Sequence, residues 1–290
     1  MNKNTRSVLL ITILSLIWGS SFILMKWGLQ VYTPFQIGAI RMFVSFLCLF
    51  PFVITSFRKI ESSRWKYLLA AGLLGNGIPS VLFPLAETNI SSALAGMINS
   101  LTPVFTLLFG IFLFRMKAGA YRVLGVLTGL AGAVILVSAR SGSIANPGNP
   151  DYAWYVVIAT LCYAGSVNIL KSKLSMIGSV PNSGFAIMFV GVPMGAWLFS
   201  TDFLERTMNV PGAGFSLTCI VVLALFGTAL STVLFNMLIK SSGALFASSV
   251  TYLIPIVATL WGLWDHESIG VFHIAGLGAV LSGIYLINKK

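Results

Sequence analysis

Acidic residues are scarce in this chain: seven of 290, against eighteen lysines and arginines, so that only 9% of residues carry charge. A typical soluble domain is about 25% charged, and the deficit excludes water as the main solvent. Histidine occurs twice, at His266 and His273. Cysteine occurs three times, at Cys48, Cys162 and Cys219, each isolated in an apolar run. That spacing supplies neither a metal-ligand set nor a disulfide framework. The consecutive Asp265, His266 and Glu267 do not change this, because neighbouring helical side chains point about 100° apart; they read as a solvated outer turn. No G-x-x-x-x-G-K-[ST] phosphate loop occurs, which removes ATP as a direct energy source. An intramembrane enzyme needs converging nucleophiles, acids or metal ligands. The middles of the apolar runs offer none, so no catalytic residue, metal or cofactor is assigned. The net charge of +11 would mark a nucleic-acid binder only if the cations clustered on an exposed domain, and no such domain is present.

What the chain does have is apolar length: 57% of its residues are hydrophobic. Crossing a hydrocarbon core takes about 20 apolar residues, and ten such windows follow one another at 7–28, 34–54, 66–85, 91–113, 121–138, 152–171, 182–200, 214–238, 244–264 and 270–288. They are separated by breaks such as Thr33-Pro34, the basic cluster Arg58 to Arg64, Ser141 to Asp151, and Val210-Pro211-Gly212. The first window has no A-x-A-like cleavage site and reads as a retained helix rather than a signal peptide. With a cytoplasmic N-terminus, fourteen cations fall in inside segments. Only Lys26, Arg140 and Arg206 fall outside, and Arg41 lies within the second window. Cytoplasmic retention of Lys and Arg then puts both termini inside.

The second half repeats the first. A shift of 152 residues brings Leu101-Thr102-Pro103 onto Leu253-Ile254-Pro255, Gly75-Asn76 onto Gly227-Thr228, and Leu82-Phe83 onto Leu234-Phe235. A shift of 145 brings Trp18, Ser21 and Lys26 onto Tyr163, Ser166 and Lys171. Five windows per copy is an odd number, so the second copy must enter the membrane from the opposite side. Equivalent loops accordingly swap charge: Arg115 and Lys117 correspond to Asp265 and Glu267. The expected architecture is an all-α membrane protein of ten transmembrane helices in two inverted five-helix repeats, residues 1–140 and 152–290, joined by a linker at 141–151. Inverted repeats suit secondary transport, because two equivalent halves can expose one midplane site to either side in turn.

Trp18-Gly19-Ser20-Ser21-Phe22, Arg41-Met42, and the pattern of Ser92, Ala93 and Pro103 with its echo from Ser242 to Pro255 resemble the drug/metabolite transporter superfamily, specifically its EamA-type ten-helix members. The resemblance covers nearly the whole chain. It implies a central cavity lined by helices 1, 3, 4, 6, 8 and 9, with helices 5 and 10 packed outside, and export of amino acids, related metabolites or drugs. The glutamate often found after the fourth helix of each repeat is matched by Glu267, whereas Arg115-Met116 stands in the first repeat.

Polar and aromatic residues in the cavity helices are the candidate substrate contacts: Trp18, Ser21, Asn76, Phe83, Asn99, Tyr163, Thr228 and Tyr252. Unpaired amides and hydroxyls are expensive in hydrocarbon, so a protein-lined cavity is their simplest shared location. Taken singly, each is equally accounted for by an interhelical hydrogen bond. Together they suit an amphipathic, zwitterionic or neutral metabolite. Pro103 and Pro255 are hinge candidates, since helix breakers in membranes persist where neighbours or water re-satisfy the backbone. Arg41 reads as structural, with a substrate carboxylate as its alternative partner. Glu87 and Lys240 read as interface markers, with proton binding as the alternative role for Glu87. The expected partners are a small-molecule substrate and the lipid bilayer, in a monomer or weak homodimer of the inner membrane. A membrane scaffold and a channel-like facilitator are the competing functions.

Overall fold

The computed structural model of the protein describes residues 3–114, 119–138, 142–143, 146–243, 246–247 and 249–288. Arg115, Met116, Lys117, Arg140, Ser141 and the two C-terminal lysines lie outside them. Among the described residues the regular structure is helical, apart from a two-residue antiparallel pairing of Gly142–Ser143 with Asn146–Pro147. Ten apolar helical segments follow in order: α1 (Lys3–Gly28), α2 (Pro34–Ser56), α3 (Ser62–Glu87), α4 (Ser92–Phe112), α5 (Ala120–Ser138), α6 (Ala153–Lys173), α7 (Ser179–Leu198), α8 (Ala213–Ser242), α9 (Val250–Trp264) and α10 (Val271–Asn288). Seven of them, α1 to α6 and α8, are long and apolar enough to cross a membrane. An eighth is α7 taken with the short helix Phe203–Asn209, from which it is bent by 66°. The last two are shorter, so helix length by itself establishes seven or eight crossings rather than ten. Side chains facing outward are apolar: Phe112, Leu127, Val134, Val271, Phe272 and Ile274 are each more than half exposed, as a lipid-solvated surface requires.

Local signals set the helix starts. At α2, Thr33 Oγ1 accepts the Gln36 N–H and Gln36 Oε1 accepts the Thr33 N–H, with Pro34 in the first turn. This reciprocal cap leaves Gln36 Nε2 to donate to Asp202 Oδ1 at 2.7 Å, tying α2 to the loop after α7. Asp202 also takes Arg206 Nε at 2.6 Å. That hydrogen bond holds its carboxyl below the usual carboxylate range.

Contacts between helices fix their directions. Ser7 at the start of α1 meets Ser242 at the end of α8, and Gly28 approaches Ile220 near the start of α8, so α1 and α8 are antiparallel. Arg64 and Ala71 of α3 bond Lys173 and Ser166 of α6. Gly191 and Gly184 of α7 pack on Met42 and Val53 of α2. Gly96 of α4 packs on Ala258 of α9, while Gly19 of α1 packs on Val257 of α9 in parallel. Exchanging one repeat for the other turns the α1·α8 pair into α6·α3 and leaves α2·α7, α4·α9 and α5·α10 as self-equivalent pairs. Each helix of the second half runs against its counterpart, and the start of α1 lies at the same end of the bundle as the end of α10. The pair α5·α10 shows why its glycines matter: a Cβ on Gly125 would stand 2.5 Å from the Gly283 carbonyl oxygen, and one on Gly283 would stand 2.6 Å from the Gly129 nitrogen. Gly125 and Gly129, and likewise Gly191 and Gly195, four residues apart on one helix face, serve close contacts within the chain.

Candidate functional site

Where the two repeats cross, they enclose a cavity of about 120 Å³. Of the residues expected there from sequence, Trp18, Ser21, Asn76, Phe83, Asn99 and Tyr163 line it. Two do not. Thr228 is buried behind the wall, where its Oγ1 accepts from Arg41 Nε at 2.6 Å. Tyr252 turns outward and donates its hydroxyl hydrogen to the Ile284 carbonyl of α10 at 2.9 Å. In both cases a local partner already satisfies the polar atom, which removes the reason for placing it on the cavity.

Aromatic rings form one wall. Phe83 stacks on Tyr163 with centroids 5.8 Å apart, Phe22 meets Phe83 edge-on at 5.6 Å, and Trp18 meets Phe235 edge-on at 5.1 Å. The Trp18 indole N–H donates to the Gly227 carbonyl at 3.0 Å. Gly227 lies in a stretch of α8, Leu223–Leu230, that widens to i→i+5 hydrogen bonding, and α3 does the same over Leu73–Gly77. The two stretches correspond under the repeat and place Asn76 and Gly227 on the cavity. Such widened turns recur at functional sites. The same correspondence governs close packing: a Cβ on Gly75 would lie 2.4 Å from Ser166 Oγ, and one on Gly227 would lie 2.9 Å from Ser21 Oγ. Pro103 and Pro255 each stand in the first turn after an interruption, at Ser100–Leu101 and Leu253 respectively. Thr102 Oγ1 donates to the Asn99 carbonyl at 2.8 Å, satisfying a backbone group at that break.

Sequence reasoning missed several lining residues. Phe22, Phe235 and Asn236 lie on the cavity, and so does Arg41, which reaches it from α2, a helix absent from the lining that the family resemblance implies. An intramembrane cation is by default a functional residue, so the signal was present and was overridden by the assumed position of the helix.

Beyond the cavity, at the end of the bundle opposite the chain termini, a polar cluster joins α1, α4 and α9. Lys26 Nζ lies 2.6 Å from Asp265 Oδ2 and 2.7 Å from Glu267 Oε1. Glu267 also accepts the Ser92 N–H and hydroxyl and the Ala93 N–H at 3.0, 2.9 and 2.9 Å, capping the start of α4 together with Ser91. Its side chain is 4% exposed, which corrects the expectation of a solvated turn: the free N–H groups at a helix start draw a carboxylate in. Trp27, Trp261 and Trp264 pack around this cluster with centroids 5.5–6.0 Å apart. Glu87 at the end of α3 is also buried rather than interfacial, within electrostatic reach of Lys26, Arg41 and Glu267. Both of its carboxyl oxygens lack a hydrogen-bond partner. His273 is buried and caps α10, its Nδ1 accepting the Gly270 N–H at 3.0 Å. Among the described residues, no three His, Cys, Asp or Glu side chains are grouped to hold a metal ion.

Comparison with known proteins fits this picture. The profile of the EamA-like transporter family matches twice, over residues 5–138 and 152–289. The chain is 25% identical over 280 residues to an uncharacterized transporter of Archaeoglobus fulgidus, covering 94% of this chain and 95% of that one. It is 26% identical over 285 residues to the uncharacterized inner membrane transporter YedA of Escherichia coli K12, covering 95% and 88%. A WAT1-related chloroplastic protein of Arabidopsis thaliana is 22% identical, covering 93% and 66%. A solved crystal structure shares the fold with a TM-score of 0.66 at 16% identity, covering 98% of this chain and 96% of that one. The chain belongs to the EamA-like transporter family and is a multi-pass membrane transporter.

Proposed function

We propose that the protein exports small amphipathic metabolites, amino acids or related compounds, across the inner membrane by alternating access and without ATP. The observation that carries this reading is the cavity at the crossing of the two repeats, walled by aromatic rings and furnished with the amides of Asn76, Asn99 and Asn236. Its lining runs from Met25 and Arg41 toward Leu170, Asn236 and Thr251 at the end where the chain begins. The opposite end is shut by Lys26, Asp265 and Glu267. With both termini cytoplasmic, as the fourteen-to-three distribution of cations favours, this conformation is closed to the outside. All ten segments are taken as crossings, the short α9 packing on α4 and α1 and the short α10 on α5. One chain carries both repeats and the whole cavity, so a single chain is the proposed working unit. Pro103 and Pro255, each opening a half-helix, are the proposed hinges.

Counterflow in proteoliposomes tests the reading: labelled solute accumulates against unlabelled solute and saturates. A scaffold gives no flux, and a channel-like facilitator gives flux without counterflow. Trp18→Ala and Asn76→Ala are expected to weaken apparent affinity. Wild-type kinetics in both would place the site elsewhere.

A further inference from the structure

Arg41 is a buried cation on the cavity wall without a carboxylate partner. Its Nε donates to Thr228 Oγ1 at 2.6 Å, its guanidinium faces the Tyr163 hydroxyl, and Nη1 reaches only Met25 Sδ at 4.0 Å. Among the described residues the ion pairs within 4.0 Å are those of Lys26, Arg64 and Arg206, and none includes Arg41. The nearby Glu87 does not serve it, because neither carboxyl oxygen of Glu87 accepts a hydrogen bond. A guanidinium presents five N–H donors in a planar fork that matches a carboxylate in bidentate fashion. Here those donors meet a hydroxyl, a phenol and a thioether, none of them negatively charged. Burying an unpaired ion is expensive unless something compensates it, and on a cavity wall the compensating group can come from the solute. A second, independent feature points the same way: Asn99 Oδ1 is buried on the same lining and has no donor.

We propose that Arg41 binds the carboxylate of the transported solute, while Asn99 Oδ1 accepts a hydrogen bond from an N–H or O–H group on the same molecule. The substrate class is then small organic carboxylates bearing a donor, with an apolar body against Phe22, Phe83 and Tyr163. Arg41 is the one charged side chain on the described lining, which suits a monoanionic head and disfavours doubly charged phosphate esters. The inference rests on the reading of this cavity as the translocation site and narrows it.

The test uses the purified full chain in lipid nanodiscs, with thermal stability as the readout and, as probes, the free amino acids, their carboxamides and the deaminated acids with the same side chains. At least one amino acid is expected to raise Tm while its carboxamide does not. In Arg41→Gln the apparent affinity for that acid should fall about 10- to 100-fold, the range for losing one charge-assisted contact. Arg41→Lys should fall between the two, since an ammonium lacks the fork. Asn99→Leu should erase the preference for an amino acid over its deaminated acid. Carboxamides that stabilise as strongly as the acids, an undiminished acid preference in Arg41→Gln, or no stabilisation by any acid each overturn the proposal. Counterflow of some other solute class would then leave the transport reading standing, so the two failures are separable.

Discussion

Replacing Glu267 tests whether the polar cluster holds the far end shut. Its carboxylate receives the Lys26 ammonium, two backbone N–H groups and the Ser92 hydroxyl at 2.7–3.0 Å. Removing one partner of a buried pair costs about 3–5 kcal/mol. Lys26 is 35% exposed and keeps Asp265, which moves the expectation for Glu267→Ala to the low end, about 3 kcal/mol. If the contacts exist only when that end is closed, the ratio of closed to open shifts about 100-fold. Asp265 is 25% exposed and its contacts are with Lys26 and the Trp27 indole, so Asp265→Ala should shift it less than about fivefold, as for a pair near water. The assay places a single cysteine by Met25→Cys on the cavity wall, with Cys48, Cys162 and Cys219 replaced, and follows its labelling by an impermeant maleimide added from outside. Labelling should accelerate strongly in Glu267→Ala and slightly in Asp265→Ala. Equal acceleration in both, or none in a Glu267→Ala protein that stays folded, would refute the reasoning.

The two buried glutamates should respond oppositely to loss of charge at constant shape: Glu87→Gln is expected to be neutral or stabilising in thermal unfolding, because its oxygens hold no partner, whereas Glu267→Gln should lower Tm. Tyr252→Phe should cost about 1 kcal/mol of stability, the worth of one hydrogen bond, and leave substrate affinity unchanged, since its hydroxyl is engaged by Ile284. Gly283→Ala should destabilise by about 1–3 kcal/mol through overpacking against Gly125 and Gly129, with little change in affinity. Asp202→Asn should lower stability slightly at neutral pH. Because the folded-state pKa of Asp202 is depressed by Arg206, that contribution is present above its unfolded value and disappears as pH falls through the folded one, so variant and wild type should converge in acid.

Much of the architecture was legible because hydrocarbon imposes strong constraints on composition. Apolar windows, the repeated Gly75-Asn76 and Gly227-Thr228, and the paired prolines marked helices, their correspondence and their breaks. Side-chain direction was less legible, since alignment gives a residue's level along a helix but not its azimuth. That is why Tyr252, near the right level, bonds α10 instead of lining the cavity. Arg41 shows the reverse: its helix packs on α7, yet a long side chain reaches past Thr228 to the wall. Glu267 was misread because the partners that bury it, the first N–H groups of α4, are 174 and 175 residues away in sequence. The widened turns left no trace beyond the glycines they contain.

The two ends of the bundle are not equivalent in chemistry, although they are equivalent in topology. Lys26 corresponds to Lys171 under the repeat, and the loop carrying Asp265 and Glu267 corresponds to the loop carrying Arg115 and Lys117. A cluster like the one at the far end would therefore set cation against cation at the near end, and like charges there repel instead of closing. Apart from the local pair of Arg64 with the exposed Glu61 at 3.6 Å, the described polar contacts that join segments at that end are of another kind: Ser7 with Ser242 at 2.9 Å, Arg64 donating to the Lys173 carbonyl at 2.6 Å, and Lys240 donating to the Ile177 carbonyl. Single hydrogen bonds of this sort contribute about 0.5–1.5 kcal/mol each, or somewhat more when one partner is charged, against the larger loss expected on breaking a buried ion pair. Under the proposed alternating access, the repeat relates two closures by a pseudo-two-fold axis, and the charges favour one of them. Under the proposed orientation, the cations that the sequence places in the near-end loops also account for the absence of a carboxylate latch between the repeats there among the described residues.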